Sequence, residues 1–301
     1  MHASQAPEAL DERFAIPGLA RFEAGAGGLT RLSISTRHAD AHIYLHGAHV
    51  THHRPAGQPS LLFLSERSRF APGAAIRGGV PIVFPWFGPR AGVPDHGFAR
   101  ISEWAVQSVE RAGDGVAVAL ALEASPATRA LWPHEFRITC CVTVGAALDL
   151  TAEVENRSDA PFTFEAAFHT YLRVGDVGQT SLAGLEGADY IDKTDGMKRK
   201  TLAPGPFRLD AETDRVFPGA RGSCVVSDAV LGRRVVVDKR ASATTVVWNP
   251  WNDKAAHMAD LGGVEWRHML CVETANAMDD AVTLAPGARH AMGATIRATP
   301  A

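Results

Sequence analysis

Period-2 alternation constrains this chain more than any other feature. The run FRITCCVTVGAALDLTAEVEN (136–156) places apolar residues at every second position over long stretches. Successive side chains of a strand point to opposite faces, so such a run suits a strand with one buried and one wetted side. It does not suit a helix, whose apolar residues recur every three or four positions. The same alternation marks RLSIST (31–36), AHIYLHGAHV (41–50), GVAVALALEA (115–124), FTFEAAFHTYLRV (162–174), RRVVVDKR (233–240), TTVVWNP (244–250) and AVTLAPG (281–287) as strands. Clusters of Gly, Pro, Asn and Asp separate them, drawn from 28 glycines and 18 prolines, and these residues signal turns. Only ALDERFA (9–15) and ATRALW (127–132) carry helical patterns, each enough for a turn or two.

Many short strands with regular turn punctuation predict an all-β fold, a sandwich or a barrel. The chain has 301 residues and shows no long linker, internal repeat or low-complexity segment. A single domain over residues 1–301 is therefore expected. Net charge is −3 and the pI is near 6.5, with none of the basic excess that a nucleic-acid partner calls for. The start, MHASQAPEALDERFAIPG, lacks the basic head and apolar run of a signal peptide, and no stretch of 18 apolar residues occurs. Cys140 and Cys141 are adjacent and Cys224 and Cys271 stand alone. They are too sparse for a disulfide framework and form no CxxC pair, so reduced thiols in a cytoplasmic protein are expected. Function has to reside in a local site.

Four stretches carry side chains that could do chemistry. AIRGGVPIVFPWFGP (75–89) looks like a strand interrupted by Gly78, Gly79, Pro81, Pro85, Gly88 and Pro89, headed by Arg77; HGFAR (96–100) follows and ends in Arg100. An arginine fork fits a phosphate or carboxylate, or else a surface salt bridge. In FTFEAAFHTYLRV, alternation puts His169 on the polar side with Glu165, Tyr171 and Arg173, facing solvent or a cleft. In HMLCVETAN (268–276), Glu273 shares a face with Met269 and Cys271; desolvation there would sharpen it as a proton acceptor, unless its head reaches water. HGAHVTHH (46–53) holds four histidines, but alternation sets His46 and His52 on one face and His49 and His53 on the other. That splits the ligands, so no metal site is expected unless a bulge at Gly47 restores the geometry. No GxSxG elbow or Walker A loop is present, and GAGG (25–28) lacks full GxGxxG spacing.

Taken in order, AIRGGVPIVFPWFGP, HGFAR with Trp104 behind it, AAFHTYLRV, GLEGADYIDK, WNPW and CVETAN resemble the aldose 1-epimerase superfamily, most closely its glucose-6-phosphate 1-epimerase (D-hexose-6-phosphate mutarotase) branch. The resemblance covers residues 28–298 and leaves 1–27 as an N-terminal extension. It implies a large antiparallel β-sandwich of the galactose mutarotase type, a supersandwich. It implies cofactor-free, metal-free interconversion of the α and β anomers of a hexose 6-phosphate by a monomer whose partner is the phosphosugar alone. By motif match His169 is the general acid and Glu273 the general base. Arg77 and Arg100 bind substrate and its phosphate, His96 lines the sugar site, and Asp214 in ETDRVF contacts the sugar. Phe84, Trp86 and Phe87 form an apolar wall or pack beneath it. Two positions depart from the family pattern. Asp95 replaces a neutral polar residue that touches substrate, and Thr274 and Ala275 replace Pro-Gly after the base, where a different backbone course is expected. A carboxylate such as Glu165, on the same side of its strand, could raise the pKa of His169, although outward positions on one strand need not touch. Two alternatives stay open: a mutarotase for free aldoses, favoured if Arg77 or Arg100 is tied into a salt bridge, and a sugar-binding protein on the same sandwich.

Overall fold

The computed structural model describes residues 6–301. The run 136–156 folds back on itself as a hairpin, Phe136–Val144 against Leu148–Asn156, with Val144 opposite Leu148. Ile138, Cys140, Val142, Leu150 and Val154 fill one face and are buried, while the residues between them are half-exposed or, at Cys141, exposed. This hairpin lies inside an eight-stranded sheet ordered 180–183, 224–228, 233–240, 289–300, 148–156, 136–144, 115–123, 105–112. A second eight-stranded sheet runs 198–201, 189–192, 213–218, 244–249, 269–276, 166–168, 82–83, with 171–173 also on 269–276. Every named ladder is antiparallel, and one apolar cluster runs between the sheets, from Val118 and Leu150 to Phe168 and Leu270. A four-stranded sheet (20–24, 30–35, 39–44, 49–55) and a short pair (162–164 with 282–284) complete the β structure. The expected antiparallel sandwich is thus present, and both helical patterns form, as Pro7–Phe14 and Pro126–Leu131. A third helix, Trp251–Ala256, and the twelve-residue strand Arg289–Pro300 were not foreseen.

The strand Met269–Asn276 is buried at all eight positions. It is flanked on both sides, one face lies on the other sheet, and the opposite face forms the floor of a cleft. FTFEAAFHTYLRV is not one strand. It breaks into Phe162–Phe164, Ala166–Phe168 and Tyr171–Arg173. The cause is a change of partner: the His169 N–H donates to the Pro81 carbonyl and the Tyr171 N–H to the Gly79 carbonyl, both at 2.9 Å. The segment foreseen as interrupted, 78–89, supplies those carbonyls. His169 is consequently buried, at 7% exposure, and not an exposed residue of a wetted face.

The bulge in the histidine-rich stretch falls at Thr51, not Gly47. His52 pairs with His42 and Val50 with Ile43, which leaves Thr51 unpaired. The four histidines have separate partners: His46 meets the Ala74 carbonyl, His49 the Gly78 carbonyl and His53 the Gly145 carbonyl, while the His52 ring packs on His42 at 5.1 Å. Among the described residues no group of three or more His, Cys, Asp or Glu side chains could hold a metal ion. Among the described residues no helix is long and apolar enough to cross a membrane.

Burial depresses His49 to about 3 and His53 to about 4. A base whose folded pKa lies below its unfolded value of about 6.5 stabilises the fold above that value. The contribution fades as pH falls from there through the folded values. The melting temperature should therefore drop between about pH 6.5 and 4, and His49→Gln, which keeps a donor but does not titrate, should flatten part of that slope. An identical slope in the variant would remove His49 from the account.

Candidate active site

Three stretches distant in sequence meet over the central strand. Glu273 rises from its middle, in register with Val246 of the neighbouring strand Thr244–Asn249. His169 comes from the break between the two short strands on the other side, and its Nε2 lies 3.4 Å from Glu273 Oε1. Glu273 is 1% exposed and its Oε2 has no protein partner; neither has His169 Nδ1. Buried polar atoms are ordinarily paired, and orphans need a reason. Here they line a cleft of about 460 Å³ whose walls carry Arg77, Asp95, His96, Arg100 and Asp214. His169, Glu273, Arg77, Asp95, His96, Arg100 and Asp214 therefore come to one place.

The aromatic shell fixes the imidazole. Tyr171 stacks on His169 at 4.8 Å and 10°, Trp248 meets both rings edge-on at 5.9 Å, and His96 approaches His169 edge-on at 5.5 Å. His96 sits at a positive φ of 62° in the turn before Gly97. The Gly88 N–H donates to its Nδ1 at 3.3 Å, which leaves the ring proton on Nε2. Burial, then Arg100 and Lys193, hold His96 near 3, so it stays neutral and can donate to a sugar oxygen. Gly97 has φ 75°, and a Cβ there would lie 2.0 Å from the Phe84 carbonyl oxygen; only glycine lets HGFAR run this close to the aromatic turn.

The two arginines differ. Arg77 Nη2 pairs with Asp260 at 3.0 Å and its Nη1 donates to the Tyr171 hydroxyl at 2.8 Å. Arg100 has no carboxylate partner among the described residues; its Nη2 donates to the Asp95 main-chain carbonyl at 2.7 Å. Arg77 is thus tied into the salt bridge that counts toward the free-aldose alternative, while Arg100 is not. Burial lowers the pKa of Arg100, the mark of a cation short of counter-charge.

Burial pushes Glu273 well up, and Asp214 adds to it against Lys193 and Arg100. Burial pushes His169 well down, helped by His96, Arg100 and Arg77. Burial drives both groups toward their neutral forms. Glu165 does not take part. Its carboxylate accepts from the N–H groups of Phe87 (2.9 Å) and Met278 (2.8 Å), stapling the aromatic turn. Phe84 and Trp86 are buried in the core and Phe87 lines the cleft. After Glu273 the chain continues in regular ladders, Thr274 opposite Thr245 and Phe168, and Ala275 opposite Thr244 and Ala167. Lys193, Lys254 and Trp248 also line the cleft. Lys193 and Trp248 lay inside the quoted stretches GLEGADYIDK and WNPW without being singled out, whereas nothing in HMADLGG pointed to Asp260.

The site is thus a buried His–Glu pair on a strand floor of a two-sheet antiparallel sandwich, in a polar cleft rimmed by cations. Residues 30–297 match the family model described as aldose 1-epimerase, and the chain belongs to that family. A curated relative from Escherichia coli (strain K12), named "Putative glucose-6-phosphate 1-epimerase", is 37% identical over 241 residues, 79% of this chain and 80% of that one. The crystal structure of a "putative mutarotase" from Salmonella typhimurium superposes with a TM-score of 0.90 at 30% identity, covering 96% of each chain. A galactose mutarotase-like protein from Clostridium acetobutylicum shares the fold at a TM-score of 0.73 and 14% identity, over 94% of this chain and 98% of that one.

Proposed function

We propose that this protein interconverts the α and β anomers of a hexose 6-phosphate, glucose 6-phosphate foremost, by acid–base opening and reclosure of the ring. The observation that carries the reading is the 3.4 Å approach of His169 Nε2 to Glu273 Oε1, both buried, each with an unpartnered second heteroatom, beside unpaired Arg100. The ring oxygen O5 and the hydroxyl O1 are borne by one carbon, so an acid and a base serving both must converge. Glycoside hydrolysis instead places two carboxyl groups at least ~5 Å apart, on opposite sides of the bond it cuts.

Glu273 accepts the proton of the O1 hydroxyl while His169 donates one to O5. The C1–O5 bond breaks and C1=O1 forms. Rotation about C1–C2 presents the other face of the aldehyde, and closure returns both protons. The substrate supplies the charge that sets these roles. A phosphate monoester carries about −1.5 to −2 at pH 7. Placed against Arg100, it offsets one of the charges that add to burial in depressing His169. Arg77 also depresses His169 but is not among the groups acting on Glu273. Asp214, held at 3.0 Å by Lys193, and neutral His96 are placed to contact sugar hydroxyls.

Exchange NMR on equilibrated glucose 6-phosphate tests this by following magnetisation between the two anomeric protons. Accelerated exchange with the phosphosugar and little with free glucose or galactose is the expected result. Equal acceleration of free sugars would keep the chemistry and discard the phosphate. No acceleration of any sugar would leave a binding protein on the same sandwich.

A further inference from the structure

The cations of the cleft wall are not equivalent. Arg77 pairs with Asp260 (3.0 Å), Lys193 with Asp214 (3.0 Å) and Lys254 with Glu212 (2.7 Å), whereas Arg100 has no carboxylate partner among the described residues. Of these, Arg77 contacts the Tyr171 hydroxyl, whose ring is stacked on His169. Asp260 does not line the cleft; it stands behind Arg77, on the loop that follows the helix Trp251–Ala256. Glu265 ties that loop down. Its carboxylate accepts from Ser65 Oγ (2.6 Å) and the Glu66 N–H (2.8 Å), and the Ser65 N–H donates to the Arg77 carbonyl at 3.0 Å. The backbone of Arg77 and the loop that bears its counter-ion are thus fastened to the same turn.

We propose that Asp260 is a positioning residue that sets what Arg77 offers the site. It holds the guanidinium by one edge and cancels its charge. The anionic group of the substrate is then anchored on Arg100, while Arg77 acts through Tyr171 on the His169 ring. This rests on the acid–base reading of His169 and Glu273.

Asp260→Asn separates charge from shape, because the amide oxygen can still accept from Arg77 Nη2. Arg77 then becomes an uncompensated cation facing both the cleft and the imidazole. The groups around that imidazole are Glu273 at 3.4 Å, His96 at 5.5 Å, Arg77 and Arg100, with Tyr171 and Trp248 uncharged. Two effects of opposite value follow. Anions bind more tightly in the ground state, and the imidazolium loses its proton at lower pH, so its supply to O5 falls.

The experiment has a binding arm and a kinetic arm. Inorganic phosphate is titrated into wild type, Asp260→Asn and Asp260→Glu by calorimetry. Affinity should rise roughly two- to fivefold in Asp260→Asn, the size of a screened ion pair, and return in Asp260→Glu. In exchange kinetics with glucose 6-phosphate, KM and kcat should fall together, and the basic limb of the kcat–pH profile should move to lower pH. Unchanged or weaker phosphate binding in Asp260→Asn, or a raised KM with an unmoved basic limb, overturns the proposal. If wild type accelerates no anomer exchange, the acid–base reading fails, and the phosphate titration still decides whether Asp260 masks Arg77.

Discussion

Glu273→Gln lowers kcat for anomer exchange by ~10²–10⁴-fold, the worth of a positioned general base, and leaves the fold intact. Glutamine matches glutamate in shape, so the packing of the fully buried strand Met269–Asn276 is kept. What changes is the ability to take a proton, which an amide oxygen lacks near neutral pH. Glu273 suits the task because burial, with Asp214 behind it, raises its pKa well above that of an ordinary carboxylate. A base of raised pKa accepts a hydroxyl proton at lower cost. The same burial makes it an expensive residue for the fold, since its Oε2 has no protein partner. The melting temperature of Glu273→Gln should accordingly equal or exceed that of wild type, as when a strained site is relieved. Exchange NMR at saturating glucose 6-phosphate and a thermal melt check the two halves. Equal kcat in wild type and variant would remove Glu273 as the base. A large drop in melting temperature would show that the carboxylate is structural.

The sequence was most legible where one strand keeps one set of partners. Residues 136–144 and 148–156 alternate cleanly because each runs between the same two neighbours over nine residues. Residues 162–173 alternate just as well but change partners twice, from 282–284 to 82–83 and 269–276 and then to 269–276 and 61–63. Alternation therefore places Phe164 and Phe168 correctly in the core and His169 on the opposite, cleft-facing side, but does not show how deeply His169 is buried, which depends on carbonyls from the interrupted segment before Pro85. The strand Arg289–Pro300 escaped notice because its inward residues Met292, Ala294 and Ile296 are spaced by small and charged ones that mute the contrast. At the site, short ordered motifs located His169, Glu273 and the arginines. They did not show that one arginine is neutralised, because Asp260 lies 183 residues from Arg77 and only the packing of the loop on Ser65 and Glu66 brings it there.

Arg100→Ala separates recognition from chemistry. If Arg100 is the uncompensated cation that meets the phosphate, its loss removes charge-assisted hydrogen bonds worth ~1.5–3 kcal/mol. That lowers kcat/KM for glucose 6-phosphate by about 10–100-fold. Free glucose has no anion to lose, so its smaller rate should change by less than about threefold. Arg100→Lys should recover part of the loss, since it restores the charge without the planar fork. Raising the salt concentration should weaken the phosphosugar in wild type and hardly affect it in Arg100→Ala. Arg100 also depresses His169, so its removal should shift the basic limb of the kcat–pH profile upward, opposite in sign to Asp260→Asn. Arg77→Ala provides the contrast: its charge is already cancelled by Asp260, so its effect should fall more on kcat, through Tyr171 and the His169 ring. Equal losses for phosphosugar and free sugar in Arg100→Ala would place the phosphate elsewhere, and a greater loss of phosphosugar selectivity in Arg77→Ala would place it on the paired arginine.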